Sequence, residues 1–212
     1  MSNLEESAAR RTLMPPHVVL RELLDEATAA GLIDYALSRE ADFRPTGVGP
    51  RAIDTSIRVS LGLRDLGAFR RVLEAEVLGH LPDLVAGLRM TPFEASRFET
   101  QLVAHGDGAF YKRHIDTRTA GPYEHAGEIR VLSGVYYLFA RPKAFSGGAL
   151  RLHAIGGEAA RDFVDIEPEH NSLVAFPSWA PHEVTPVSCP SGRFGDSRFA
   201  VNCWAHRRKA AP

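Results

Sequence analysis

The sequence predicts a mainly β protein, a sandwich or jelly roll with helices laid against one of its sheets. Three observations carry this. From Thr91 onward, short apolar runs alternate with turn residues almost to the end of the chain, the pattern of many short strands. Ahead of them lie two stretches with the i, i+3, i+4 spacing of amphipathic helices. The 212 residues, 44% hydrophobic and 24% charged, suit one globular unit with a core of its own. The expected organisation is one domain over 1–212: a flexible arm at 1–16, a helical preface at 17–90 and a jelly-roll core at 91–206.

The arm ends at Pro15-Pro16, and Val18, Val19 and Leu20 then suggest a short strand within His17 to Leu24. Asp25 stands where a helix N-cap is wanted, followed by Ala29, Leu32, Ile33, Ala36 and Leu37 on one helical face. Pro45 to Pro50 reads as a loop. Ile53, Thr55, Ile57 and Val59 alternate with Asp54, Ser56, Arg58 and Ser60, which predicts a half-buried strand with its polar residues in solvent. A second helix is expected from Asp65 to Gly79, with Leu66, Phe69, Leu73 and Val77 on its stripe, and Pro82 breaks it before a last turn through Leu88. Strands are then expected near 97–105, 109–116, 129–140, 148–153, 162–166, 171–177, 182–187 and 197–206.

Composition excludes several classes. A net charge of −1 gives no electrostatic reason for a polyanionic partner, and the basic cluster Arg207-Arg208-Lys209 reads as a solvated tail, so nucleic acid is not the expected partner. No apolar run reaches the length of a membrane span, roughly 18 residues, and Met1 to Met14 lacks the apolar core of a signal peptide. Two cysteines, Cys189 and Cys203, make no disulfide framework, so the expected compartment is the reducing cytoplasm.

Four blocks could carry chemistry. In Phe110-Tyr111-Lys112-Arg113-His114-Ile115-Asp116, a strand would turn His114 and Asp116 to one side, two corners of a metal site. A second histidine would complete a 2-His-1-carboxylate triad, which leaves positions open on a non-haem Fe(II). His182, at the entrance to a strand in Pro181-His182-Glu183-Val184-Thr185-Pro186-Val187, is one candidate; His153 and His170 are rivals. In Arg198-Phe199-Ala200-Val201-Asn202-Cys203-Trp204, alternation sets Arg198, Ala200, Asn202 and Trp204 on one face. That face suits a pocket whose guanidinium grips a carboxylate, or else an arginine snorkelling at a sheet edge. Tyr136 and Tyr137 sit in a strand, where a double tyrosine ordinarily gives one core and one surface ring. A buried phenol needs a partner, and an anionic ligand could supply it.

Taken together, these blocks resemble the 2-oxoglutarate- and Fe(II)-dependent dioxygenases of the prolyl 4-hydroxylase-like branch. The resemblance runs from about Gln101 to Trp204, in order: His-x-Asp, Val135-Tyr136-Tyr137-Leu138, Ser146-Gly147-Gly148-Ala149-Leu150-Arg151-Leu152, Asp165-Ile166-Glu167-Pro168, His-x-Val-x-Pro-Val, and Arg-x-Ala with a tryptophan six residues past the arginine. It implies a double-stranded β-helix. It also implies a hydroxylase that needs Fe(II), 2-oxoglutarate and O2, with ascorbate as a further candidate cofactor, and that releases succinate and CO2. The implied iron ligands are His114, Asp116 and His182. Arg198 and Tyr137 would hold the distal carboxylate of 2-oxoglutarate, with Val135 and Trp204 as pocket walls and Arg193 as the rival anchor. His105 stands at the pocket rim where relatives carry a tyrosine, which implies a contact that titrates near neutral pH. His125, Lys112 and Arg113 have no assigned role. The implied substrate is a prolyl residue or proline-like group in a peptide, protein or small molecule. The alternatives are a nucleic-acid demethylating dioxygenase and a non-catalytic jelly-roll binding protein.

Overall fold

The computed structural model describes residues 13–47, 53–117, 127–156 and 162–209. Its strands and helices follow in chain order: β1 (Val18–Arg21), α1 (Glu26–Ser38), β2 (Arg44–Pro45), β3 (Arg58–Val59), β4 (Leu61–Leu63), α2 (Phe69–Gly79) and α3 (Leu81–Gly87). Then come β5 (Arg97–His105), β6 (Phe110–His114), β7 (Glu128–Leu138), β8 (Ser146–Gly147), β9 (Leu150–His153) and β10 (Phe163–Ile166). The chain closes with β11 (Ser172–Pro177), β12 (His182–Val184), β13 (Val187–Ser188) and β14 (Arg198–Arg208). A seven-stranded sheet runs β1-β11-β7-β14-β5-β4-β2, and a five-stranded sheet runs β10-β9-β12-β6-β3. From β5 on, the chain winds between them: β5, β7, β11 and β14 in the larger sheet, β6, β9, β10 and β12 in the smaller. This antiparallel winding is a double-stranded β-helix, or jelly roll.

Alternation along β14 divides the core. Phe199, Val201, Cys203 and Ala205 turn outward and share a cluster with Leu32 of α1, Leu73 and Val77 of α2 and Leu84 of α3. Ala200 turns inward and packs with Val103, Val135, Tyr137, Leu150, Leu152, Val174 and Phe176 between the two sheets. The helices thus cover one face of the large sheet, and its other face is left to the interior.

The local chemistry explains the helix ends. Asp25 caps α1 by accepting from the Thr28 amide (2.9 Å) and the Thr28 hydroxyl (2.6 Å). The α1 stripe is narrower than its spacing suggests, because Leu37 remains exposed. The second helix starts at Phe69 rather than Asp65. Gly67 has φ +54°, outside the helical region, and the Asp65 carboxylate accepts from its amide at 2.9 Å, which fixes a turn there instead.

The segment from Ile53 to Ser60 departs most from its pattern. Residues 55–57 form a turn held by Asp54, whose carboxylate accepts from both the amide and the hydroxyl of Ser56 at 2.9 and 2.6 Å. Only Arg58–Val59 is strand, and the faces are reversed: Ile53 is 61% exposed while Arg58 is 9% exposed. The two tyrosines also differ from expectation. Both are fully buried, because β7 is a central strand with helices on one face and the second sheet on the other. Tyr136 donates to Asn171 Oδ1 at 2.8 Å. Asn171, left-handed at φ 57°, also takes the Leu24 amide and donates to the Leu24 carbonyl, which ties the start of α1 to β11. The expected strand 182–187 is two, β12 in the five-stranded sheet and β13 paired with β8.

Candidate metal centre and co-substrate pocket

The two sheets supply different halves of one cavity of about 560 Å³. His114 ends β6 and His182 opens β12, and the two residues are paired across the smaller sheet with rings 4.1 Å apart. Asp116 lies two residues beyond His114, past the end of β6. Strand alternation therefore does not place it; the Ser178 carbonyl does, by accepting from the Asp116 and Thr117 amides at 2.9 and 3.0 Å. One ligand atom from each of His114, Asp116 and His182 lies within 4.8 Å of the others. His153 and His170 are outside this cluster: His153 Nε2 faces Glu183 at 3.6 Å, and His170 Nδ1 accepts from the Phe139 amide.

The outer atoms of all three are committed, which leaves the inner ones for a cation. His114 Nδ1 donates to the Lys112 carbonyl at 2.9 Å, and His182 Nδ1 donates to the Ala180 carbonyl at 2.9 Å. A carbonyl can only accept, so in the neutral rings both Nε2 atoms carry free lone pairs. These lie 3.8 and 3.6 Å from the Asp116 carboxylate. Asp116 Oδ2 accepts from Ser133 Oγ at 2.8 Å and from Trp204 Nε1 at 2.9 Å, and Ser133 Oγ is 2.9 Å from Ser178 Oγ. Burial, and then His182, push the His114 ring down to about 3. Burial pushes the Asp116 carboxyl up, but His182, His114 and the Trp204 indole outweigh it and hold it below its ordinary value. Two neutral imidazoles and one carboxylate suit a first-row divalent metal with open positions.

The larger sheet supplies the other end. Arg198 and His105 are paired across β14 and β5, and Tyr137 lies on neighbouring β7. Arg198 is only 1% exposed, which excludes a snorkelling role at a sheet edge. The chain crosses it tightly: a Cβ on Gly148, at φ +69°, would lie 2.5 Å from Arg198 Cδ. Arg198 Nη1 lies 3.4 Å from His105 Nδ1, and its ζ carbon is 4.8 Å from the centre of the Tyr137 ring. Among the described residues, four buried polar atoms here have no hydrogen-bond partner: Arg198 Nε and Nη2, Tyr137 Oη and His105 Nε2. The arginine and phenol atoms are donors, and so is Nε2 when Nδ1 faces the guanidinium. Buried unsatisfied donors are costly, and a carboxylate is the group that would satisfy this set. The free atoms fit 2-oxoglutarate's distal carboxylate.

His105 differs from its expected place. It is 2% exposed rather than at the rim, and burial, with Arg198 and then Arg58 beside it, drives its pKa well below the ordinary histidine value. It is therefore neutral near pH 7. Arg193 is turned away, 76% exposed and bonded to Asp196 at 2.8 Å. Val135 and Trp204 line the cavity. Lys112 and Arg113 are exposed, and His125 lies outside the described residues.

Sequence reasoning missed Tyr111, whose ring stacks on His114 with centres 3.6 Å apart. Residues three apart on a regular strand face opposite ways. Here His182↔His114 and Val184↔Tyr111 set a step of three positions in β6 against a step of two in β12, so a bulge brings both rings to one side. It also missed Ser133 and Ser178, which carry no spacing signal.

A family model described as the 2OG-Fe(II) oxygenase superfamily matches residues 100–206, half of the chain and the part that holds His105, His114, Asp116, Tyr137, His182 and Arg198. The chain belongs to the 2OG-Fe(II) oxygenase superfamily. An uncharacterised PKHD-type hydroxylase of Synechocystis sp. is 33% identical to the protein over 182 residues, 84% of this chain, and the chain spans 58% of that relative's length. A prolyl-4-hydroxylase of Pseudomonas putida superposes with a TM-score of 0.63 at 24% identity, covering 92% of this chain and 94% of its own. A prolyl hydroxylase of Trichoplax adhaerens, solved with a hypoxia inducible factor peptide, gives a TM-score of 0.61 at 20% identity over 90% and 83%. At these identities the solved structures establish the shared fold. Among the described residues no helix is long and apolar enough to cross a membrane.

Proposed function

We propose that this oxygenase is an Fe(II)- and 2-oxoglutarate-dependent hydroxylase acting on a C–H bond of a prolyl residue or proline-like group. In this reading His114, Asp116 and His182 hold the metal, Arg198 and Tyr137 hold the distal carboxylate of 2-oxoglutarate, and residues 17–90 and 91–206 act as one domain. The observation that carries it is the coexistence, in the lining of one cavity, of the His-Asp-His cluster with Arg198 and His105, which carry unpartnered buried donors. When bound, the metal and 2-oxoglutarate supply an oxidation that uses O2 and releases succinate and CO2. The chain's own part is positional. Ser133 and Trp204 fix the Asp116 carboxylate, the Lys112 and Ala180 carbonyls fix the imidazoles, and Val135 with Leu150 closes an apolar wall. That wall limits water at the reacting centre. The peptide-bound Trichoplax enzyme and the Pseudomonas enzyme support a prolyl substrate. The free, buried cysteines Cys189 and Cys203 support a reducing cytoplasm.

The test is anaerobic addition of Fe(II) and 2-oxoglutarate. The expected result is the visible metal-to-ligand charge-transfer band of a chelated 2-oxo acid, lost in Asp116→Ala and in His182→Ala. A band unchanged in both variants would overturn the metal assignment. Turnover of 2-oxoglutarate to succinate over a panel of prolyl peptides then tests the substrate.

A further inference from the structure

The charge of the cavity wall is unlike that of the whole protein. The chain carries a net −1, yet among the described residues six arginines line the cavity, Arg58, Arg64, Arg70, Arg97, Arg130 and Arg198, against two carboxylates, Glu99 and Asp116. Two of the six are neutralised in place. Arg130 pairs with Glu99 at 2.8 Å, and Arg97 pairs with Glu128 at 3.1 Å and Glu99 at 3.6 Å. Burial opposes ionisation of Glu99, but His206 and then Arg130 hold its carboxyl well below the ordinary value, so this network keeps its charge balance. Arg198 is accounted for by the co-substrate.

Arg58, Arg64 and Arg70 remain. Among the described residues none of them has a carboxylate within 4.0 Å. Arg58 is 9% exposed, held by the Ser60 hydroxyl at 3.0 Å, with its guanidinium 4.6 Å from the centre of the Tyr111 ring that stacks on His114. Arg64 and Arg70 are exposed, and among the described residues Arg70 has one long hydrogen bond, 3.5 Å to the Phe98 carbonyl. The set therefore runs from solvent toward the metal cluster. Like charges gathered in a concave, low-dielectric wall repel one another and concentrate anions.

We infer that Arg58, Arg64 and Arg70 form an acidic-substrate subsite, which selects peptides carrying aspartate or glutamate beside the hydroxylated residue. This deepens the hydroxylase reading and rests on it. Guanidinium groups bind carboxylates through charge-assisted, often bidentate hydrogen bonds, and the buried Arg58 is the member best shielded from water. A peptide is favoured over nucleic acid because these unpaired cations are confined to one cavity of about 560 Å³ on a protein of net charge −1. A polynucleotide needs a basic track that neutralises many phosphates.

The test uses the full chain and three fluorescent peptides with one Ala-Pro-Ala centre, flanked by glutamate, glutamine or lysine, read by equilibrium anisotropy. Binding is expected in the order Glu, Gln, Lys, with the first step about tenfold or more, weakening as salt rises. Arg64→Gln/Arg70→Gln should weaken the glutamate preference, which buried Arg58 then carries alone, yet keep the charge-transfer band, which reads metal and 2-oxoglutarate rather than peptide. Arg58→Lys, which keeps the charge and loses the fork, should reduce it in part. Equal binding of the three peptides would overturn the inference. So would displacement of the glutamate peptide by a single-stranded oligonucleotide at lower concentration than by unlabelled peptide. Absence of the band in the unaltered protein would instead count against the hydroxylase reading, and the anisotropy order would still decide the subsite.

Discussion

Arg198→Met should move binding and stability in opposite directions. Arg198 is 1% exposed; among the described residues its guanidinium has one hydrogen-bond partner, His105 Nδ1 at 3.4 Å, and its Nε and Nη2 have none. Without an anion it is a buried charge that lacks compensation, and a hydrophobic replacement of similar volume relieves that cost by about 1–4 kcal/mol. For a chain of this size each kcal/mol corresponds to a rise in Tm of roughly 2–4 °C. The bound state reverses the sign. Loss of a charge-assisted partner from a buried carboxylate costs on the order of 2–5 kcal/mol, or about 30-fold to several-thousand-fold in affinity for 2-oxoglutarate. The assay is a thermal melt of the metal-free protein with and without 2-oxoglutarate, beside a titration of the charge-transfer band against 2-oxoglutarate. Expected are a Tm for the ligand-free variant that is unchanged or raised, and a 2-oxoglutarate requirement raised far more than that for Fe(II). Arg193→Ala, which removes a solvated guanidinium, should change neither. A variant with an unaltered 2-oxoglutarate requirement refutes the anchoring role, and the same effect in Arg193→Ala refutes the choice of arginine.

Ser133→Ala and Trp204→Phe each remove one donor to Asp116 Oδ2 and should weaken Fe(II) retention by about 10–100-fold, measured by competition with a chelator. Asn171→Ala leaves the Leu24 amide and carbonyl and the Tyr136 hydroxyl without partners, at about 1–3 kcal/mol each, so the urea midpoint should fall sharply with little change in the band. His105 and His114 are held neutral in the fold, so the unfolded chain binds the extra protons on acidification. Stability of the metal-free protein should be complete above about pH 6.5 and fall below it by roughly 1.4 kcal/mol per pH unit for each histidine, as far as about 3 for His114. His105→Asn should remove one histidine's share of that slope, as read from urea midpoints across pH, and a slope that stays unchanged counts against a buried neutral His105.

What was legible in the sequence is what one strand decides by itself. Alternation along 198–204 separated Arg198 and Trp204 from Phe199 and Val201 because β14 is regular there and has a different environment on each face. The same rule failed at 53–60, where the Asp54 side chain competes for backbone amides and makes a turn that no hydrophobic pattern registers. It failed again at Tyr111, since a bulge appears only when the pairing partner is known. The role of Trp204 was half legible. Its face was readable, but its donation to Asp116 depends on two residues 88 positions apart in the chain returning to one point. The depth of His105 is of that kind too. The resemblance sets His105 at the rim, and its depth shows only once its partner across the sheet is known to be the fully enclosed Arg198.

The two ends of the cavity meet their polar requirements in opposite ways. At the metal end, the atoms that face away from the cluster are already bonded: the imidazoles to backbone carbonyls, Asp116 Oδ2 to an indole and a hydroxyl. That end is rigid before anything binds, as tight coordination geometry requires. At the other end four buried polar atoms stay unpaired among the described residues, a free-energy cost that an incoming carboxylate would remove. The difference follows from the ligands. A cation is selected by the distances among its donors, so the protein fixes those donors in advance. A flexible dicarboxylate is selected by charge and hydrogen-bond count, so the protein leaves donors open in a dry wall where each is worth more than in water. The same reasoning gives the arginines of the outer wall their sense: exposed Arg64 and Arg70 discriminate weakly, and buried Arg58 beside the metal cluster discriminates most.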